Sequence, residues 1–450
     1  MIAVIIPAII IVMIELYKSH DLRKIFNFRG ELKKIKRHKQ KLSKVPEGTI
    51  IGYAGRKPVC IQDNAKHVFV CGTTGSGKTV ALSNFIKNIV DNDFPALIID
   101  GKGDTGQGSI LDIIEKMNKF KKKLYVVSLS DPETSDEYNP FKNASTTTAR
   151  DMLINMTDWS EEHYKLNAER YIQRILQIFK LANIPFFFKK IIKCLPIDNF
   201  IDVSAQLLKK NIITKEEHLE NIEIAKTSGK ISQSSVARFS TISESEVGNI
   251  FSDEGIDIST AIKENAIILF ILKPLVYPEL TPAFGRLILI DAKKAIGDLF
   301  KAQSKRSFFI MDEINTYATT ELTDLVNKSR SAGVTCVLST QSLSDLDFAC
   351  GEAYKEQIIE NCNNYLVMRQ NSAINAENWA NILGTRATME VTYQLQQKGL
   401  DTSETGFGSA KRVREFLYHP DDIKTMQIGE GIYLSKDTKF NSKIKVSKPF

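Results

Sequence analysis

His67-Val-Phe-Val-Cys71, followed by Gly72-Thr73-Thr74-Gly75-Ser76-Gly77-Lys78-Thr79, decides the fold. Five strand-forming residues lead into a G-x-x-x-x-G-K-T loop, and residues 80–90 then carry apolar side chains at helical spacing. In that order, strand, loop and helix make a phosphate cradle. The glycines let consecutive backbone N–H groups turn toward one cluster of oxygens, and the helix presents its positive end to the same place. Lys78 is expected to reach the β- and γ-phosphate oxygens of ATP, and the Thr79 hydroxyl to ligate Mg²⁺.

Hydrolysis also needs a carboxylate for the metal and a second one for the attacking water. Ser307-Phe-Phe-Ile-Met-Asp312-Glu313 offers both: Asp312 at the end of an apolar strand to hold Mg²⁺ through water, and Glu313 beside it as the general base. An Asp-Glu pair after an apolar run also fits a simple strand-end cap, and its company with loop 72–79 favours the catalytic reading. The next strand, Val334-Thr-Cys-Val-Leu-Ser-Thr340, ends at Gln341, whose amide is placed to sense the γ-phosphate or the water.

Further strands are expected at 96–100, 124–129, 266–272 and 365–369, alternating with helical stretches. The pattern implies an α/β class: a mainly parallel sheet covered on both faces, with its site at the C-terminal ends of the strands. Between 145 and 263 strands vanish and helical segments follow one another, which reads as an all-α domain inserted into a nucleotide-binding domain of 46–144 and 264–450. Past Gly384, 412–417 and 430–434 read as edge strands around Pro420. Phe186-Phe-Phe188 is expected in the helical core rather than as a base-stacking platform, and Lys189-Lys190 and Lys209-Lys210 as solvated faces.

The chain has 450 residues, 43% apolar and 25% charged, which excludes a mainly disordered, collagen-like or multi-span membrane protein. Six cysteines, at 60, 71, 194, 336, 350 and 362, show no C-x-x-C spacing, and six histidines show no metal spacing, so reduced thiols and no metal cluster are expected from them. The net charge of +7 is local. Residues 1–45 hold eleven Lys and Arg against three acidic residues, leaving the remaining 405 near −1, so any nucleic-acid contact must use a confined strip.

Residues 1–14 contain no charged side chain, and the apolar run through Tyr17 directly precedes the basic stretch 18–45. Apolar before basic is the reverse of a secretory signal, and positive flanks stay in the cytosol. A short membrane anchor over 1–17 with the body on the cytoplasmic side of the cell membrane is therefore expected. Fourteen residues rise about 21 Å, short of a ~30 Å hydrocarbon core. A helix packed on the protein, or one lying in the interface beside anionic lipid, fits the same residues.

Taken together, Cys71 to Thr79, Ile-Ile-Asp100-Gly-Lys102-Gly-Asp104, the helical insertion, Phe-Ile-Met-Asp312-Glu313, Ser329-Arg330-Ser-Ala-Gly333 and Ser339-Thr-Gln341-Ser resemble the TraG/TraD-type coupling ATPases of conjugation and type IV secretion, within the FtsK–HerA group of ring translocases. The resemblance covers 47–435. It implies a RecA-like nucleotide domain and a homohexameric ring on the inner face of the membrane. Such a ring receives single-stranded DNA bound to a relaxase and feeds it to the components of a secretion channel. The family commonly carries a longer anchor with two spans, and shows Pro where this chain has Gly101, an exchange that leaves the charges of Asp100 and Lys102 in place.

Arg330 follows a helical stretch, 321–328, that leads away from the Asp-Glu strand. That path carries it away from its own Lys78 and toward a subunit boundary, where it would serve a neighbour's γ-phosphoryl group. A surface pair with Glu321 or Asp324 is the alternative. Three functions fit the residues: a DNA-translocating motor, a nucleotide-switched adaptor that docks secretion substrates, and a soluble FtsK–HerA-like translocase. Glu313 favours a motor, since a pure switch needs no base, and the apolar start argues against the soluble form.

Overall fold

The computed structural model describes residues 48–450 apart from 65, 119–121, 301–305, 399–400 and 450, so the expected anchor 1–17 and the basic stretch 18–45 lie outside the described residues. Among the described residues no helix is long and apolar enough to cross a membrane.

The strands in chain order are β1 (Thr49–Ala54), β2 (Lys57–Ile61), β3 (His67–Cys71), β4 (Ala96–Asp100), β5 (Leu124–Ser128), β6 (Ile267–Ile271), β7 (Ser307–Asp312), β8 (Val334–Thr340), β9 (Cys362–Met368), β10 (Thr385–Lys398), β11 (Asp401–Phe416), β12 (Glu430–Ser435) and β13 (Phe440–Val446). Eleven of them form one sheet in the order β2-β1-β13-β12-β9-β3-β8-β7-β4-β6-β5. From β9 to β5 every pairing is parallel, and from β9 outward through β12, β13, β1 and β2 every pairing is antiparallel. The result is a mixed α/β architecture built on a large, mostly parallel sheet.

Burial on both faces explains the continuous apolar runs of the parallel strands. Every residue of β3, β4, β6, β7 and β8 is buried. Along β3, Val68 and Val70 join one apolar cluster with Phe85 and Ile89 of helix Lys78–Asp91. Phe69 and Cys71 join the other, with Trp379 and the helices that follow residue 145.

Between 145 and 263 the described residues form helices, including Thr146–Asn155, Glu162–Leu181, Ile197–Lys209, Lys215–Ile224 and Gln233–Glu244, and no strand. Local chemistry starts them: the Ser145 hydroxyl accepts the Thr148 N–H, and Thr214 and Glu217 form a reciprocal capping box. These helices do not close around a core of their own. Tyr138 stands edge-on to Phe270 of β6 and to Phe284, at 5.0 and 6.0 Å, and lies beside Phe251. Phe188, fully buried as expected, rests on Phe251 at 4.7 Å. The described residues from Thr49 onward thus pack as one compact unit.

The C-terminal strands differ from the expectation. β12 is interior, hydrogen-bonded on both sides by β9 and β13, because Gly431, Ile432 and Tyr433 are all buried and the polar-looking β13 covers its open edge. Residues 412–416 belong to a separate two-stranded ribbon, β10–β11, outside the large sheet.

Candidate active site

The site forms where β3, β8 and β7 end side by side. Lys78, only 7% exposed, turns back into its loop and donates from Nζ to the Gly72 carbonyl at 2.8 Å. Its ammonium lies 3.3 Å from Glu313 Oε1. Gln341 Nε2 donates to that same oxygen at 3.3 Å, while the Thr74 hydroxyl donates to Gln341 Oε1 at 3.0 Å. Loop 72–79, Glu313 and Gln341, which follow three separate strands, therefore meet at one carboxylate.

Glu313 sits on a left-handed backbone with φ of 47°, which costs about 1 kcal/mol for a residue with a Cβ. The surroundings hold it there. Its carbonyl accepts from both the backbone N–H and the hydroxyl of Thr316 at 3.0 and 2.9 Å, and the Tyr317 hydroxyl donates to the Asp312 carbonyl at 3.1 Å. Burial raises the Glu313 carboxyl above the usual glutamate range, and the charge of Asp312 adds to this, while the charge of Lys78 and its hydrogen bond and that of Gln341 pull the other way.

Register adds a residue that spacing alone left without a role. β4 and β7 pair with Asp100 directly opposite Asp312, so two buried carboxylates end adjacent strands. Burial, and next the charge of Asp312, push Asp100 up to about 7, against the hydrogen bonds that its Oδ1 accepts from the N–H groups of Lys102 and Gly103 at 2.9 and 3.3 Å. Gly101 is no neutral exchange. A Cβ there would stand 2.7 Å from the Asp312 carbonyl oxygen and 2.9 Å from that of Glu313, and its N–H donates to the former at 3.2 Å, a bond proline lacks.

The front of the phosphate loop is held by segments with no motif. Thr73 N–H donates to the Arg369 carbonyl at 2.9 Å, Asn371 Nδ2 to the Thr73 hydroxyl at 3.3 Å, and Gly429 N–H to the Ser76 carbonyl at 2.9 Å. These contacts run largely through the backbone, so side-chain identity carries no signal for them.

Arg330 is not brought to this site. It lies at the opposite end of the strands, beside His67, the first residue of β3, whose imidazole is lowered to about 4 by burial, with Arg330 adding repulsion. Five strand residues put it about 13 Å or more from the loop. Glu321 and Asp324 are engaged by Lys293 instead, and among the described residues Arg330 is exposed and without an ion-pair partner. The same residues hold no group of His, Cys, Asp and Glu fit for a metal cluster, and the six cysteines are free thiols.

The residues fit a nucleoside triphosphate with Mg²⁺. Ser76 Oγ, Asp312 Oδ1 and Glu313 Oε2 are buried without a hydrogen-bond partner. Orphaned acceptors around an inward-facing lysine suit a liganded cation and phosphate oxygens rather than a closed core. Thr79 stands half-buried in the first turn of helix Lys78–Asp91, next to the lysine.

Residues 48–269 match the family described as Helicase HerA, central domain, and residues 306–427 the family described as the TraM recognition site of TraD and TraG. An uncharacterized protein of Mycoplasma pneumoniae (strain ATCC 29342 / M129 / Subtype 1) is 30% identical over 104 residues, 23% of this chain and 69% of that protein. Among solved structures the fold is similar to the bacterial conjugative coupling protein TrwB in its unbound form (TM-score 0.64, 15% identity, covering 91% of this chain and 90% of that one). TrwB in complex with ADP and Mg²⁺ is similar as well (TM-score 0.60, 15% identity, 91% of each chain). VirB4 of Thermoanaerobacter pseudethanolicus shares the fold at a TM-score of 0.55 and 12% identity, over 90% of this chain and 97% of that one.

Proposed function

The chain belongs to the TraG/TraD-type coupling proteins, and from that premise and the geometry above we propose that it is a ring-forming ATPase motor that drives relaxase-bound DNA into a type IV secretion channel. The observation that carries this reading is the convergence of Lys78 and Gln341 on Glu313, whose second oxygen stays unpartnered. A nucleotide switch has no need of a held and desolvated base, which sets the adaptor reading second.

In this RecA-like site the loop N–H groups and Lys78 orient the phosphates, and Thr79 and Asp312 would hold Mg²⁺, which when bound would neutralise charge on the phosphate oxygens. Glu313 removes the proton of the attacking water through its free oxygen, while Gln341 holds the other oxygen of the carboxylate. Arg330, on the far edge of its own subunit, serves the neighbouring site of a homohexamer, and the helices of 145–263 form a lobe for substrate. Full-length protein is expected to hydrolyse ATP faster with single-stranded DNA than without. A rate indifferent to single- and double-stranded DNA of every length would remove the motor and leave the adaptor.

The apolar run and basic stretch before residue 46 place the chain, in this proposal, on the cytoplasmic side of the cell membrane. An inserted segment is held by apolar burial, so the protein should pellet with membranes and resist a 1 M salt wash, where the Debye length falls to about 3 Å. Release by salt would leave only peripheral attachment, and a protein that never pellets would favour the soluble translocase.

A further inference from the structure

The turn before β12 presents an apolar side chain beside the phosphate loop. The Glu430 N–H donates to the Gln427 carbonyl at 3.0 Å and Gly429 has φ of 78°, a reverse turn with glycine at its third position, where a side chain would be strained. The Gln427 N–H donates to the Glu430 carboxylate at 3.0 Å, closing the turn a second time. Gly429 fastens it on both sides: its N–H donates to the Ser76 carbonyl at 2.9 Å, and its carbonyl accepts the Val446 N–H at 2.8 Å. At the second position stands Ile428, 70% exposed, although Met426 and Ile432 on either side are at most 2% exposed. A rigid turn thus holds one isoleucine in solvent against a loop built for phosphates.

The sheet order says what lies there. The terminal phosphate end of the site is marked by Glu313 after β7 and Gln341 after β8, on one side of β3. A nucleotide whose phosphates occupy loop 72–79 must then extend to the other side, over β9 and β12, where the Ile428 turn packs on Gly77. An ideal Cβ at Gly77 would stand 3.4 Å from the Gly429 nitrogen. We propose that Ile428 is the platform for the nucleobase, packing against the flat face of the purine while the phosphate loop holds the triphosphate. The inference rests on the nucleotide reading above and adds the subsite for the base. An aliphatic side chain meets the face of a base and not its hydrogen-bonding edge, so it treats adenine and guanine alike.

The test is a set of Mg²⁺-dependent binding measurements on the full chain with ATP, GTP and inorganic triphosphate. Ile428→Ser should weaken ATP and GTP about fivefold each, the loss of roughly one buried apolar contact, and leave inorganic triphosphate unchanged. Ile428→Phe, which keeps an apolar surface, should bind ATP at least as well as the parent. Equal weakening of ATP and triphosphate by Ile428→Ser, or no weakening of ATP, overturns the platform while the phosphate loop stands. A parent chain that binds neither ATP nor triphosphate overturns the nucleotide reading itself, and the platform with it.

Discussion

Glu313→Gln should bind ATP as the parent does and hydrolyse it about 10³-fold more slowly, within the range that a positioned base supplies. The amide keeps the volume of the side chain and its Oε1 can still accept from Lys78 and Gln341, so the loop and its contacts persist. What disappears is the oxygen able to take a proton. The parent also carries a pH signature that the variant lacks. Burial raises the Glu313 carboxyl, and a base works only when ionised, so the parent rate should fall on acidification at a pH above the ordinary glutamate range. Single-turnover hydrolysis across pH checks both points. A wild-type rate in Glu313→Gln, or an acid limb that survives in its residual activity, would remove Glu313 as the base.

Arg330→Ala should lose about 10³-fold or more of ATPase activity, the scale of an arginine that stabilises charge on the γ-phosphoryl oxygens. Its place at the opposite end of β3 from the loop rules out contact with the phosphates of its own subunit, and its exposed position leaves it able to meet a neighbour. Mixing separates this from a structural loss. Arg330→Ala and Lys78→Ala subunits, each inactive alone, should recover partial activity when co-assembled, because some boundaries then join an intact loop to an intact arginine. No recovery in demonstrably mixed rings, or full activity of Arg330→Ala by itself, would take Arg330 out of the catalytic set.

The sequence by itself determined the phosphate loop, the Asp312-Glu313 pair, Gln341 and the parallel strands. Each is a short contiguous pattern whose chemistry follows from backbone geometry: glycines before a helix, or an apolar run that ends in an acid. The tertiary structure decided everything that depends on which strands lie side by side. Asp100 became a partner of Asp312 only through the β4–β7 register, and Gly101 became obligatory only because the Asp312 carbonyl packs against it. β12 moved from edge to interior because the weakly patterned β13 pairs with it. The turn at 427–430 reached the phosphate loop through the Gly429 N–H, a group every residue but proline possesses and no pattern can flag. Local motifs write themselves in side chains, whereas these contacts join residues up to several hundred positions apart through register and backbone hydrogen bonds, which leave no trace in a one-dimensional pattern.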